Sequence, residues 1–211
     1  MSTTPAIGPA FDPAFGPAFD PAHTALLVLD CQPAVLAALP DDGEREALLG
    51  RMAGAIADVR AKGGTIAYVR VGFTEADWEA VPAANKSFAP LARHRVLHHE
   101  DPAAAVHERL APQDGDLVVR KVRHGGLSTT DLDRQLRERG ITTLVVSGIS
   151  TGGAVLSTVV DAADRDYRLC VLSDGVADPD AEVHDVLLRR VLPSRAHVVD
   201  TAGLRALLGD R

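Results

Sequence analysis

Two residues of opposite charge each close an apolar run. Asp30 ends TALLVLD (24–30) and Lys121 ends DLVVRK (116–121). A carboxylate at the end of a buried strand is partly desolvated, which moves its pKa up toward the range of a working acid. Capping of the following turn is the plainer alternative. Lys121 is one of three lysines against nineteen arginines. An ammonium is a compact point charge whose pKa shifts readily, so lysine at a strand end suits catalysis better than guanidinium; a surface lysine with a buried stem is the alternative. Phosphoryl transfer through an aspartate nucleophile would want a second acid two residues on, and Gln32 stands there.

Other constellations compete. Gly148-Ile149-Ser150-Thr151-Gly152 follows a strand pattern and precedes a helix, as in the nucleophile elbow of serine hydrolases. Ser150, Asp174 and His197 occur in that fold's chain order, and His124-Gly125-Gly126 mimics its oxyanion segment, although only one helix and one strand separate the two. His94, His98 and His99 have helical spacing for a metal, but HRVLHHED reads as a polar surface turn and no metal is expected. The glycines of 148–153 are too irregular for a dinucleotide fingerprint, so no cofactor is expected either. Cys31 and Cys170 lie inside apolar runs without a partner at zinc-ligand spacing.

The elements that must position these residues follow from composition and periodicity. The 211 residues, 46% hydrophobic and 24% charged with a net charge of −7, suit a single domain acting on a small molecule. No apolar run reaches the length of a membrane span, no signal-peptide pattern opens the chain, and no basic stripe offers itself to nucleic acid. A cytoplasmic location is therefore expected. Residues 8–23 repeat a Pro-Ala-Phe tetrapeptide (GPAF DPAF GPAF DPAH), which opposes helix and sheet alike. Residues 1–22 are read as a flexible tail and 23–211 as the domain. Strands are expected at 24–30, 65–71, 116–121, 142–148, 168–174 and 196–200, and helices at 43–62, 102–110, 129–139, 153–165 and 180–192, with 72–100 irregular. Continuously apolar strands alternating with helices give a doubly wound α/β domain. Ligands in such sheets bind beyond the carboxyl ends of the strands, which selects Asp30, the segment after Val71, Lys121, Gly148 to Ala154, and Asp174.

LLVLDCQ, APQDGDLVVRK, STTDLDRQLRERGI, TLVVSGISTGGAVLSTVVDAADRDY and VLSDGVAD, in that order, resemble the isochorismatase-like (cysteine hydrolase) family over about residues 22–200. The resemblance implies a three-layer α/β/α, Rossmann-like fold with a six-stranded parallel sheet, assembled as a homo-dimer or homo-tetramer. It also implies a catalytic trio of aspartate, lysine and cysteine. Asp30 and Lys121 match the first two, and Ala154 stands at the position of the cysteine. The family's nucleophile is absent, FTEADW replaces the metal segment of the nicotinamidases, and amide substrates are not expected. Strand alternation turns Cys31 away from Asp30, and Cys170 reads as core.

The isochorismatase branch of the family hydrolyses a vinyl ether without the cysteine, and KVRHGGL resembles its lysine-x-arginine-aromatic segment, with His124 in the aromatic position and Leu127 replacing a phenylalanine. The resemblance then makes Asp30 a general acid. Lys121 orients it and binds an anionic group or the departing oxygen, and burial must outweigh the lysine's charge to keep Asp30 protonated. It also implies a cis peptide at Ile149–Ser150, with the Ser150 and Ala154 amides facing the pocket. Gln32, Arg123, His124, Ser150 and Thr151 become substrate contacts, and Phe73, Trp78 and Phe88 an apolar wall. Two alternatives stand beside this: a pseudoenzyme that binds a metabolite or partner without turnover, and a different biosynthetic reaction, such as dehydration or ring opening, on the same residues.

Overall fold

A computed structural model describes residues 18–209. In chain order the elements are β1 (Thr24–Leu29), α1 (Pro33–Leu36), α2 (Asp42–Ala61), β2 (Thr65–Val71), α3 (Glu75–Glu79), α4 (Ala89–Arg93), β3 (Leu117–Lys121), α5 (Leu132–Glu138), β4 (Thr143–Ile149), α6 (Leu156–Asp164), β5 (Arg168–Ala177), α7 (Ala181–Val186), β6 (His197–Val199) and α8 (Thr201–Leu207). All six strands are parallel, in the order β3-β2-β1-β4-β5-β6. The sheet has helices on both faces, and no helix among the described residues is long and apolar enough to cross a membrane.

β1 lies at the centre and every one of its residues is buried. Ala25, Leu27 and Leu29 face the core shared with α5 and α6, while Leu26 and Val28 face the core shared with α2 and α8. Burial on both faces explains why the strand is apolar throughout. The chain order reverses between β1 and β4, one strand running left to β2 and β3, the other right to β5 and β6. Beyond the carboxyl ends at such a switch point lies the natural crevice of a doubly wound sheet. Gly148 lets β1 and β4 meet there: its φ is 122°, and a Cβ would stand 2.0 Å from the Leu29 carbonyl oxygen.

Several expected boundaries shift. The helix expected over 102–110 is two separate 3-10 turns, Pro102–Ala104 and Glu108–Leu110, each started by a side-chain cap, from Asp101 and His107. The extended conformation of Ala105 separates them. α5 starts at Leu132, whose N–H is held by the Thr130 hydroxyl. α6 is preceded by a wide π-helical turn, Thr151–Val155, and α7 runs on into another, Leu187–Val191. The stretch 72–100 gains two short helices, α3 being started by a reciprocal Thr74–Asp77 capping box. β5 extends three residues past Asp174, after a register shift against β4.

Most of the expected flexible tail lies outside the described residues. Its last segment, however, belongs to the domain. Phe19 is buried in the α2–α8 core, its N–H donates to the Leu207 carbonyl at 2.8 Å, and the Arg168 guanidinium lies 4.5 Å from its ring centroid. Asp20 caps the turn Pro21–His23 that leads into β1. The boundary drawn at residue 22 therefore moves upstream of Phe19. Phe19→Ala is expected to cost about 3 kcal/mol in urea unfolding, the usual range for a buried phenylalanine; unchanged stability would show that the ring anchors nothing.

Candidate active site

β1 and β3 end at the same edge of the sheet and bring Asp30 and Lys121 into contact. Lys121 Nζ lies 2.7 Å from Asp30 Oδ2, and the two side chains are only 2% and 8% exposed. Lys121 also donates to the carbonyl oxygens of His124, at 2.7 Å, and Arg123, at 3.1 Å. An ammonium has three protons, so all three are spent on the protein. Lys121 holds Asp30 and the loop after β3.

Asp30 occupies the left-handed region, φ 51°, and its N–H donates to the Val69 carbonyl at 2.8 Å. Its Oδ1 is buried without a hydrogen-bond partner. Burial raises the carboxyl to about 6, outweighing the opposing pull of Lys121. The same left-handed residue redirects the chain. Cys31 joins the α2-side core, with Sγ 3.7 Å from Met52 Sδ, whereas continued alternation would have kept it on the face of Leu29. The turn at Asp30, not strand alternation, sets the face that Cys31 joins. Burial raises the thiol pKa of Cys31 far above its usual range and pushes that of Cys170 up to about 12, so neither supplies a thiolate.

β4 delivers the second wall of the crevice. The Ile149–Ser150 peptide is cis, as the resemblance implied. The Ser150 carbonyl accepts the N–H groups of Gly153 and Val155, forming the wide turn in which Ala154 sits, 3% exposed. A Cβ on Gly153 would lie 2.7 Å from Ser150 Oγ, so glycine permits the close fold. Residues that the sequence did not single out brace this turn. Asp178 Oδ2 accepts the Gly152 N–H at 2.7 Å, and His184 Nδ1 pairs with Thr151 Oγ1 at 2.8 Å. Thr158 Oγ1 accepts the Gly126 N–H at 2.9 Å, joining α6 to the loop after β3. Only Thr158 had a readable signal, one helical turn beyond Ala154 on the same face.

Several expected substrate contacts are structural. Gln32 is fully buried: Nε2 donates to the Val71 and Ala104 carbonyls, each at 2.7 Å, and Oε1 accepts from the Val71 N–H at 2.8 Å. It ties β1 to β2 instead of meeting substrate. Thr151 is equally buried, its hydroxyl engaged by His184. Phe73 and Trp78 form a satellite core with Val71, and the Trp78 indole donates to the Val96 carbonyl. Phe88 also belongs to that core, yet it alone of the three aromatics lines a cleft between the loop after β3 and α6, whose walls include Asp161 and Arg165 but neither Asp30 nor Lys121. That cleft holds about 470 Å³ and is bounded by Phe88, Arg123, His124, Ser128 and Ser157 among others. The His124 ring packs edge-on against Phe88 at 4.7 Å while its carbonyl binds Lys121. Burial and the Lys121 charge lower the His124 pKa.

The serine-hydrolase constellation is not assembled. His197 is level with Val145 across β5, about 16 Å along the strand direction from Ser150. The Asp174 carboxylate accepts the Thr201 N–H and hydroxyl, each at 2.9 Å, and so fixes the start of α8. Of the three histidines read for a metal, His98 and His99 lie together with Glu100, their ligand atoms within 4.8 Å of one another, while His94 ends α4.

Residues 24–203 match the Isochorismatase domain family, and the chain belongs to it. It is 33% identical over 175 residues to ureidoacrylate amidohydrolase RutB of Methylobacterium radiotolerans, covering 77% of this chain and 67% of that one. An isochorismatase family protein of Burkholderia thailandensis superposes with a TM-score of 0.78 at 27% identity, covering 92% and 99% of the two chains. The N-carbamoylsarcosine amidase of Thermoplasma acidophilum does so with a TM-score of 0.68, also at 27% identity, covering 84% and 96%. The protein thus carries the hydrolase scaffold of this family.

Lys121→Met strands a buried carboxylate and two loop carbonyls at once. It is expected to cost about 3–5 kcal/mol in urea unfolding at pH 7.5. Adding Asp30→Asn should recover part of that loss, because the uncompensated charge is gone. A double variant as unstable as the sum of the single ones would mean that the pair is not coupled.

Proposed function

We propose that the protein hydrolyses a small anionic or cyclic metabolite by acid-base catalysis at Asp30, with vinyl ether hydrolysis as the reaction. The observation that carries this reading is the state of the Asp30 carboxyl: one oxygen clamped by Lys121, the other buried and unpartnered, and a pKa of about 6. A carboxyl so placed holds a proton to donate and has an oxygen left to take one back.

Asp30 transfers its proton to the terminal carbon of the enol ether, and the electron pair of the double bond forms the new C–H bond. The resulting oxocarbenium ion is captured by water, which returns a proton to the Asp30 carboxylate. The hemiketal then collapses to a ketone and an alcohol. No side-chain nucleophile takes part, so Ala154 is no obstacle. A positioned acid of suitable pKa contributes about 10²–10⁴-fold. The acid form is present below about pH 6, so activity falls as pH rises through that value.

The names of RutB and of the carbamoylsarcosine amidase point to amide hydrolysis in those proteins. Covalent amide chemistry of that kind calls for an activated nucleophile at this sheet edge. Here the residue is Ala154, and both thiols are buried in the core. Acid-base chemistry fits what the edge does hold.

Wild type and Asp30→Asn, incubated with isochorismate in the presence of a chelator, are expected to differ in pyruvate release by about 10²–10⁴-fold while both remain folded. Full release by a folded Asp30→Asn protein would refute Asp30 as the acid. No release from either would refute isochorismate hydrolysis and favour a binding role or another reaction on the same scaffold.

A further inference from the structure

Ser150 stands at the N-cap of the turn Thr151–Val155, yet its hydroxyl caps nothing. A serine there ordinarily spends its oxygen on the second or third N–H of the turn. Both are already taken: that of Gly152 by Asp178 Oδ2 at 2.7 Å, and that of Gly153 by the Ser150 carbonyl at 3.1 Å. The hydroxyl is left over. His124 is its neighbour across Gly153. A Cβ on Gly153 would lie 2.7 Å from Ser150 Oγ and 3.6 Å from His124 Nδ1, so both atoms border one small gap. Among the described residues, no hydrogen bond engages the hydroxyl or the imidazole nitrogens. The imidazole is nonetheless held in place. Its ring packs edge-on against Phe88, and the His124 carbonyl accepts from Lys121 at 2.7 Å. Ser150 and Gly153 are half-buried and His124 is exposed, which leaves the gap open to a small molecule.

We propose that Ser150 and His124 form a nucleophile–base dyad that gives this protein a second activity, the hydrolysis of small aryl esters through an acyl-serine. His124 Nδ1 takes the Ser150 proton as Oγ bonds to the ester carbonyl carbon, and the carbonyl electron pair moves onto its oxygen. That pair then returns, the bond to the aryl oxygen breaks, and the proton passes from His124 to the departing phenol. Water repeats the sequence on the acyl-serine and releases a carboxylic acid and free Ser150. Lys121 favours the unprotonated imidazole, the form that acts as base. The bond between base and nucleophile closes only as substrate arrives, as is common in free enzymes. Among the described residues no carboxylate orients the imidazole, so the dyad suits a leaving group that departs unaided. Aryl esters have one and amides do not. The activity uses neither Asp30 nor its proton, and it takes up the serine of the elbow-like segment through a histidine other than His197.

The probe is 4-nitrophenyl acetate, with acid quench and peptide mapping by mass spectrometry. At pH 7.5, wild type is expected to carry an acetyl group on Ser150. Ser150→Ala should lose the acetylated peptide, and Ser150→Cys, which keeps a nucleophile at the same place, should regain it. His124→Gln should be acetylated about 10²–10⁴-fold more slowly while remaining folded by circular dichroism. Nitrophenolate release by folded Ser150→Ala at the wild-type rate would overturn the proposal. So would acetyl found on His124 or a lysine instead of Ser150, His124→Gln reacting as fast as wild type, or wild type without acetyl on Ser150.

Discussion

The three protons of Lys121 hold the candidate site together. One goes to Asp30 at the end of β1, and two go to the carbonyls of the loop that follows β3. A buried ion pair is not by itself a source of stability, since desolvating two charges costs about what their attraction returns. Here the balance tips against the carboxylate: burial lifts Asp30 to about 6 despite a full positive charge at hydrogen-bond distance. The lysine therefore serves two ends. It fixes the orientation of the carboxyl, and it pins the backbone from which Arg123 and His124 project toward the cleft.

Sheet order decides where that contact forms. The chain reverses direction across the sheet between β1 and β4, and Gly148 allows those strands to approach so closely that any Cβ would strike the Leu29 carbonyl. Asp30 leaves β1 through a left-handed residue and Ser150 leaves β4 through a cis peptide. Braces from distant parts of the chain then hold the turn after β4: Asp178 beyond β5, His184 on α7, and Thr158 from α6 onto the opposite loop. A site that uses fixed dipoles and a buried acid needs this kind of rigid surround, because its groups must already be in place when charge develops.

Much of the fold could be read from the sequence. Strands β1, β2 and β4 announce themselves as short, largely apolar runs, and α2 by Leu48, Leu49, Met52, Ile56 and Val59 at helical spacing before a glycine pair. Asp30 and Lys121 were legible because each is a charge closing such a run. What escaped depends on side chains meeting across long separations. Gln32 looked like a substrate contact because its position near the site is visible in sequence, whereas its three hydrogen bonds to Val71 and Ala104 are not. Phe19 hid inside a repeat whose prolines argue for an unstructured tail, yet the pocket that takes it is built by Leu207 and Arg168, far along the chain. Asp174 illustrates a register effect: β5 shifts against β4 and runs three residues further, so the acid that seemed to close the strand instead holds Thr201, the first residue of α8.

The account turns on a carboxyl that keeps its proton up to about pH 6 beside a lysine. Its most direct test is the titration of Asp30 in protein labelled with carbon-13 at the aspartate side-chain carboxyls, with the resonance assigned by its absence from Asp30→Asn. A midpoint near 6 is expected, so that the group is mostly acid at pH 5 and mostly carboxylate at pH 7. A midpoint at or below the ordinary value of 3.8 would mean that Lys121 dominates burial, and would remove Asp30 as the proton donor.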